Sequence, residues 1–305
     1  MHTQTNLRRR PHAFAMLDAL GLVVIAGALG SIAMVASPIS RARESSNQLK
    51  DATQIRGIGQ SMITWSGSNK EQYPIPGKFD KDNATVAEKG NAKNTTGAIF
   101  SMLIWNASIT PELIVSPMEN NPKIKPLKAY ELVAPKAAVD PKKAQWDPSL
   151  SGDMNSATGG HISYANLQPS GDRIKRWADT YDASHAQLAY RGPQITASTV
   201  HDEFTATPTF ANQKSLTFNV YTYAGKPGSW SGNVAFADNH IEFIDNHYTP
   251  GKKTETGAQY KNAKGEKRPD LAFFDESDDP ASTNNILGIF IKAGDKPADY
   301  LGAWD

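Results

Sequence analysis

Histidine and carboxylate chemistry has one place to gather in this chain. The histidines are His2, His12, His161, His185, His201, His240 and His247, and of these only His240 and His247 cluster with each other and with acids, Asp238 and Asp245. A turn at Asp238-Asn239 would bring Asp238 and His240 together, and an imidazole beside a carboxylate could ligate a metal or act as a base. Strand alternation offers a plainer reading. His240, Glu242 and Ile244 would share one outer, polar face, with Ile241 and Phe243 on the inner one. No third partner completes a catalytic constellation, and the stretch GSWSG at 228–232 puts Trp230 where a nucleophilic serine would stand. The run Asp275, Glu276, Asp278, Asp279 could ligate calcium, but it lacks EF-hand spacing, and the favoured reading is a solvated acidic loop. There is no phosphate-binding loop and no dinucleotide fingerprint. The expectation is a protein that is not an enzyme and holds no metal or cofactor.

Composition narrows the classes further. The 305 residues carry 32 Lys+Arg against 31 Asp+Glu, a net charge of +1, which leaves no general electrostatic footprint for nucleic acid. With no cysteine, disulfides, thiol nucleophiles and Cys-ligated metals are excluded. The 23 Gly and 19 Pro indicate a loop-rich globular protein.

The elements that would position any site begin at the N-terminus. Residues 1–13 are a basic leader with Arg8, Arg9 and Arg10 and no acid. From Ala19 to Ser40 no residue is charged, and at about 1.5 Å per residue that run reaches roughly 33 Å, enough to span a bilayer core. Arginines before it place the following domain outside the cytoplasm. A cleaved secretory signal is the alternative. Beyond Pro38, the residues Ile39, Ala42, Leu49, Ala52, Ile55, Ile58 or Gly59, Met62 and Trp65 recur at three- and four-residue steps, an apolar stripe on a helix. Together these predict one long helix over 14–68, transmembrane in 19–40, with Gly67 as its stop signal. Residues 69–305 then form an exported domain. Residues 80–97 read as a surface loop, Ile99–Leu103 as the start of a helix, and 117–149 as a Pro- and Lys-rich wrap. Strands are predicted at His161–Ala165, Leu216–Tyr223, Asn233–Ala237, His240–Ile244 and Ile286–Ile291. The predicted class is α+β: a long N-terminal helix laid on an antiparallel sheet with long loops.

Four segments resemble a known family. Ala13-Phe14-Ala15-Met16-Leu17-Asp18 is similar to the cleavage site of type IV pilins and type II secretion pseudopilins. SPISRARESSNQ at 37–48, QIRGIGQSMITWSGSNKEQYPIPG at 54–77 and GNVAFADNHIEFI at 232–244 resemble, in order, segments of planctomycete-type pseudopilin-like proteins. The resemblance implies that a prepilin peptidase cuts between Ala13 and Phe14. Phe14 then becomes an N-methylated first residue, and Asp18 takes the place of the family's glutamate. Ala13 stands where the family has Gly, Asn239 where its hairpin has Gly, and Pro38 lies further from Phe14 than the family's proline. Asp18 would neutralise the α-ammonium of a neighbouring subunit, and Ala26/Gly30 and Gly27/Ser31 would let helices approach closely. The resemblance implies a structural subunit of a type II secretion or type IV pilus-like assembly. Its partners would be the peptidase, other pilin-like subunits in a homo- or hetero-filament, and the membrane. Its place would be the bacterial inner membrane, crossed once, with the domain periplasmic or extracellular. The alternative is an anchored binding module for carbohydrate, stacking sugars on Trp146, Trp177, Trp230 or Trp304.

Mass spectrometry of the mature chain is expected to find methylated Phe14 at its N-terminus. A chain that begins at Met1, or near Ser37, contradicts prepilin-type processing.

Overall fold

The computed structural model describes residues 43–179, 185–211, 230–244, 259–279 and 281–304. The chain divides into two units, 1–49 and 50–305. Only 43–49 of the first is described, and these residues are the opening turns of helix α1 (43–68). In the second unit, Asp51, Ile55, Ile58, Met62 and Trp65 are buried at alternating four- and three-residue steps. Arg56, Gln60 and Thr64 lie exposed on the opposite side. That pattern is what makes these residues a surface helix with one covered face. The helix stops after Ser68. The Ser66 carbonyl accepts the N–H groups of Asn69 (2.9 Å) and Glu71 (3.0 Å), and Asn69 Nδ2 donates to the Trp65 carbonyl at 2.7 Å. The left-handed positions that turn the chain are Lys70 and Glu71 (φ 57° and 63°), not the expected Gly67.

Two shorter helices follow. Helix α2 (Pro76–Phe79) starts on a proline, whose missing N–H costs nothing at that position. Helix α3 (Thr96–Trp105) is capped by Thr95, whose side chain accepts the Ala98 N–H. Its residues 96–104 are all buried, so the segment reads as core on every side.

The principal sheet is antiparallel with six strands in the order β10-β9-β1-β2-β5-β6. These are β1 (Tyr164–Leu167), β2 (Ala186–Tyr190), β5 (Gly232–Phe236), β6 (Ile241–Ile244), β9 (Leu287–Lys292) and β10 (Leu301–Ala303). Two small hairpins stand apart, β3 (Ile195–Val200) with β4 (Ala206–Phe210) and β7 (Gln259–Lys261) with β8 (Lys267–Pro269). On one face, Tyr164 reaches α1 and Asn166, two residues on, reaches Thr96 of α3, so both helices cover that side. Gln187 of β2 donates to the Arg176 carbonyl, which lays the 168–179 segment against the sheet as well. Strands β1, β2 and β5 are buried at every position.

Three expectations are corrected. The described chain is mostly β with helices of 26, 4 and 10 residues, not an α+β protein built on one helix over 14–68. Four of the sheet's six strands, β1, β5, β6 and β9, overlap the expected strand segments, whereas β2 is buried at every position and shows no alternation of polarity. Secondly, among the described residues no helix is long and apolar enough to cross a membrane. Helix α1 has the length, but it carries Arg43, Glu44, Lys50, Asp51 and Arg56. The single-pass inner-membrane placement has no described helix to carry it and is withdrawn; the leader 1–13 and the expected span 19–40 lie outside the described residues, as does the predicted strand Leu216–Tyr223. Thirdly, residues 80–97 are not a solvated loop. Asp80, Thr85, Lys93, Asn94 and Thr96 are buried within them.

That loop folds around an ion pair. Lys93 Nζ donates to Asp80 Oδ2 at 2.6 Å, with side-chain exposures of 0% and 1%, and also reaches the Asp80 carbonyl. Asp80 Oδ1 accepts the N–H groups of Ala84 (2.7 Å) and Thr85 (3.1 Å). Burial pushes the Asp80 carboxyl up, but Lys93 and the Thr85 and Val86 N–H groups outweigh it and hold the carboxyl below its ordinary value. Removing one member of such a pair strands the other charge. Lys93→Met is expected to lower unfolding free energy by about 3–5 kcal/mol in urea titrations. Lys136→Met, at the exposed pair with Glu131, should leave it almost unchanged. Similar losses in both variants would contradict the buried pair's role.

Candidate functional site

Two of the four resembling segments, 54–77 and 232–244, meet at the contact of α1 with the β5–β6 hairpin. Asp51 stands at the head of the buried stripe of α1 and is 0% exposed. Its carboxylate accepts from Tyr164 Oη of β1 at 2.8 Å, from Asn233 Nδ2 of β5 at 2.7 Å, and from Ser116 Oγ. A buried carboxylate is tolerated only with this kind of donor set. Two turns further along α1, Gly59 faces the hairpin tip. A Cβ there would lie 2.2 Å from Asn239 Oδ1, so a larger residue fits only if the Asn239 side chain moves aside. Asn239 holds φ 64°, the left-handed conformation that a tight hairpin turn demands and Asn tolerates. Beyond the helix, Tyr73 Oη donates weakly to the Ala237 carbonyl at 3.4 Å. Burial, then the nearby Asp179 and Asp238 charges, push the Tyr73 phenol well up, so it remains a donor. The hairpin is therefore a clasp on the helix.

The hairpin's polar pair is present but plays a local part. His240 Nδ1 lies 2.5 Å from Asp238 Oδ1, and the imidazole stacks on Phe236 at 4.1 Å between centroids. Burial pushes the Asp238 carboxyl up, and the backbone and ring hydrogen bonds of His240 outweigh it, leaving the carboxyl low. Asp245 and His247 lie outside the described residues. Among the described residues no three His, Asp or Glu side chains converge to hold a metal. The expected face assignment of β6 does not hold. Ile244 is buried and Phe243 is 38% exposed, because β6 is the edge of the sheet and alternation there does not translate into burial.

Ala13, Phe14 and Asp18, the expected processing and assembly residues, lie outside the described residues. Three of the tryptophans offered as sugar-stacking surface are core. Trp146 and Trp230 are 1% exposed and Trp177 0%, and Trp230 Nε1 donates to the Arg191 carbonyl at 3.0 Å.

The acidic run is likewise committed internally. Glu276 and Asp279 are buried together with Asp270, Arg173 and Arg176. Asp279 Oδ2 accepts the Asn284 N–H at 2.7 Å, and Glu276 Oε1 accepts the Leu271 N–H at 2.9 Å. Arg173 Nη2 pairs with Asp275, its Nη1 donates to Gln168 Oε1 at 2.6 Å, and Arg176 Nη2 donates to the Asn284 carbonyl at 2.8 Å. Neither the arginines nor the buried Asp270 could have been assigned from spacing, since they lie some hundred residues apart along the chain.

Burial pushes the Asp270 carboxyl up to about 6, against the opposing pull of the Asn285 N–H and Arg176. Burial and then the Asp270 charge push Glu276 well up too. A carboxyl that holds its proton more tightly folded than unfolded loses stabilisation as pH rises from its unfolded value through its folded one. Asp270→Asn does not titrate. The melting temperature of the wild type relative to Asp270→Asn is therefore expected to fall from about pH 4 to pH 7. A difference that is flat over that window, or that rises, would contradict the assignment.

Comparison of the chain with protein-family models, curated proteins and solved structures finds no match.

Proposed function

We propose that this chain is a pilin-like structural subunit of a type II secretion or type IV pilus-like assembly. Its N-terminal segment joins it to other pilin-like subunits after a prepilin peptidase has cut between Ala13 and Phe14. One observation carries the reading. The resembling segments 54–77 and 232–244, far apart in sequence, are partners in space, with Gly59 against Asn239 and Tyr73 against Ala237. Asp51 and Asn233, bonded at 2.7 Å, flank the same contact. A family motif that recurs for packing reasons should behave in this way. A motif that recurs for catalysis would converge on a pocket instead.

The mechanism follows from the two ends of the chain. An assembling subunit must transmit force from its N-terminal helices to its folded domain, and a clasp on α1 supplies that coupling. At the other end, cleavage would leave an α-ammonium on Phe14, ahead of the uncharged run 19–40. There it needs a carboxylate, and Asp18 of a neighbouring subunit would provide one. Breaking such a pair by removing one member costs about 3–5 kcal/mol in low dielectric.

Asp18→Asn should therefore reduce crosslinking between subunits in producing cells by an order of magnitude or more, while Asp18→Glu retains it. Equal crosslinking in wild type, Asn and Glu chains would contradict assembly through this pair.

A further inference from the structure

A second feature of the domain, independent of the helix clasp, gathers positive charge. Residues 122–129 and 155–161 form the two walls of an open groove of about 690 Å³. That is within the range of small-ligand sites. Lys123, Lys125 and Lys128 line it, all three exposed, together with His161. Among the described residues none of these lysines is in an ion pair, although the chain as a whole has nearly equal numbers of both charges. Nearby carboxylates are already engaged. Glu119 accepts from Arg191 Nε at 2.9 Å and Nη2 at 2.7 Å and from Ser163 Oγ at 2.8 Å, and Asp153 accepts the Asn155 N–H at 2.9 Å. Glu119 is thus matched by Arg191, and the groove's own lining carries three lysines and no carboxylate.

The groove is preformed. Lys125 N–H donates to the Gly160 carbonyl at 3.0 Å and Gly160 N–H to the Lys123 carbonyl at 3.1 Å, so the two walls are stitched along the floor. Gly159, at φ 77°, lets them approach; a Cβ there would sit 2.2 Å from the Lys123 carbonyl oxygen. His161 Nδ1 donates to the Lys125 carbonyl at 3.1 Å, which fixes the tautomer of the neutral ring and leaves Nε2 as an acceptor. The remaining lining combines Pro122, Pro126 and Leu127 with the small polar groups of Asn155, Ser156 and Thr158.

The geometry points to a binding site for an anionic glycan, a sugar chain bearing carboxylates such as a polyuronate. Ammonium groups would meet the carboxylates, the proline and leucine wall the C–H faces of the rings, and the amide, hydroxyls and imidazole the sugar hydroxyls. Other polyanions fit less well. No Phe, Tyr or Trp lines the groove, so bases of a single-stranded nucleic acid have nothing to stack on. The N–H groups of 123–125 and 160 are spent on Asn121 and on each other, so an acidic peptide has no open strand edge to extend there. Neutral glycans lack both the charge and an aromatic platform.

Isothermal titration of the full chain with an oligogalacturonate at low ionic strength tests the site. Binding is expected, and it should weaken steeply as salt is added. The triple variant Lys123→Gln/Lys125→Gln/Lys128→Gln should bind about tenfold or more weakly, a change of about 1.4 kcal/mol or more. A control with the same loss of charge elsewhere, Lys136→Gln/Lys142→Gln/Lys143→Gln, should bind like wild type, as should the melting temperatures of both variants. An uncharged oligoglucan should not bind. Equal affinity of the two triple variants, absence of oligogalacturonate binding, or binding of oligoglutamate or oligothymidylate as tightly as oligogalacturonate would overturn the assignment.

Discussion

A carboxylate buried on a surface helix constrains where that helix can lie. Asp51 is wholly covered, and its donors come from three separate segments: Ser116 on a loop, Tyr164 on β1 and Asn233 on β5. Sliding α1 by one turn, about 5.4 Å, would strand the charge without donors. The apolar stripe alone would not be so exacting, because Ile55, Ile58 and Met62 could trade places at modest cost. Once Asp51 is seated, Gly59 arrives under the hairpin tip and Tyr73 under the Ala237 carbonyl. The charge sets the register, and the stripe supplies the burial.

The same device recurs through the domain. Lys93–Asp80 holds the loop before α3, Arg191–Glu119 holds the loop after it, and Arg173 with Arg176 gathers the 270–285 segment. Long connections without cysteine need some other means of fixing their course. Apolar contacts could stabilise these loops as well, but a buried charge accepts few arrangements and so selects one. The loops thereby become part of the core. The groove between 122–129 and 155–161 depends on this, since a loosely held wrap would not present three lysines to a single cleft.

Legibility in the sequence followed the same physics. The lower half of α1 was readable because Ile55, Ile58, Met62 and Trp65 keep helical spacing against polar neighbours. The β5–β6 turn was readable because Asp-Asn tolerates positive φ. Asp51 was not, because a charge beside an apolar stripe reads as belonging to the solvent side, and the stripe was drawn through Ala52 and Leu49 instead. Leu49 is 70% exposed. Strand β2 was not, because AQLAY is buried on both faces and carries no alternation. The acidic run was visible as composition, but its arginine partners at 173 and 176 come from another part of the chain, and pairing at that distance leaves no local signal. The same holds for the groove, whose lysines and His161 come together only through the Gly159–Lys123 approach.

The central claim is that the Asp51–Asn233 bond couples the helix to the hairpin. A double-mutant cycle on the chain, comparing Asp51→Ala, Asn233→Ala and the pair by urea unfolding, isolates that term from each side chain's other contacts. Hydrogen bonds to a buried charge contribute about 1.5–3 kcal/mol, and the coupling energy should fall in that range. Effects that add to within about 0.5 kcal/mol would show that the Asp51–Asn233 bond does not couple the helix to the hairpin.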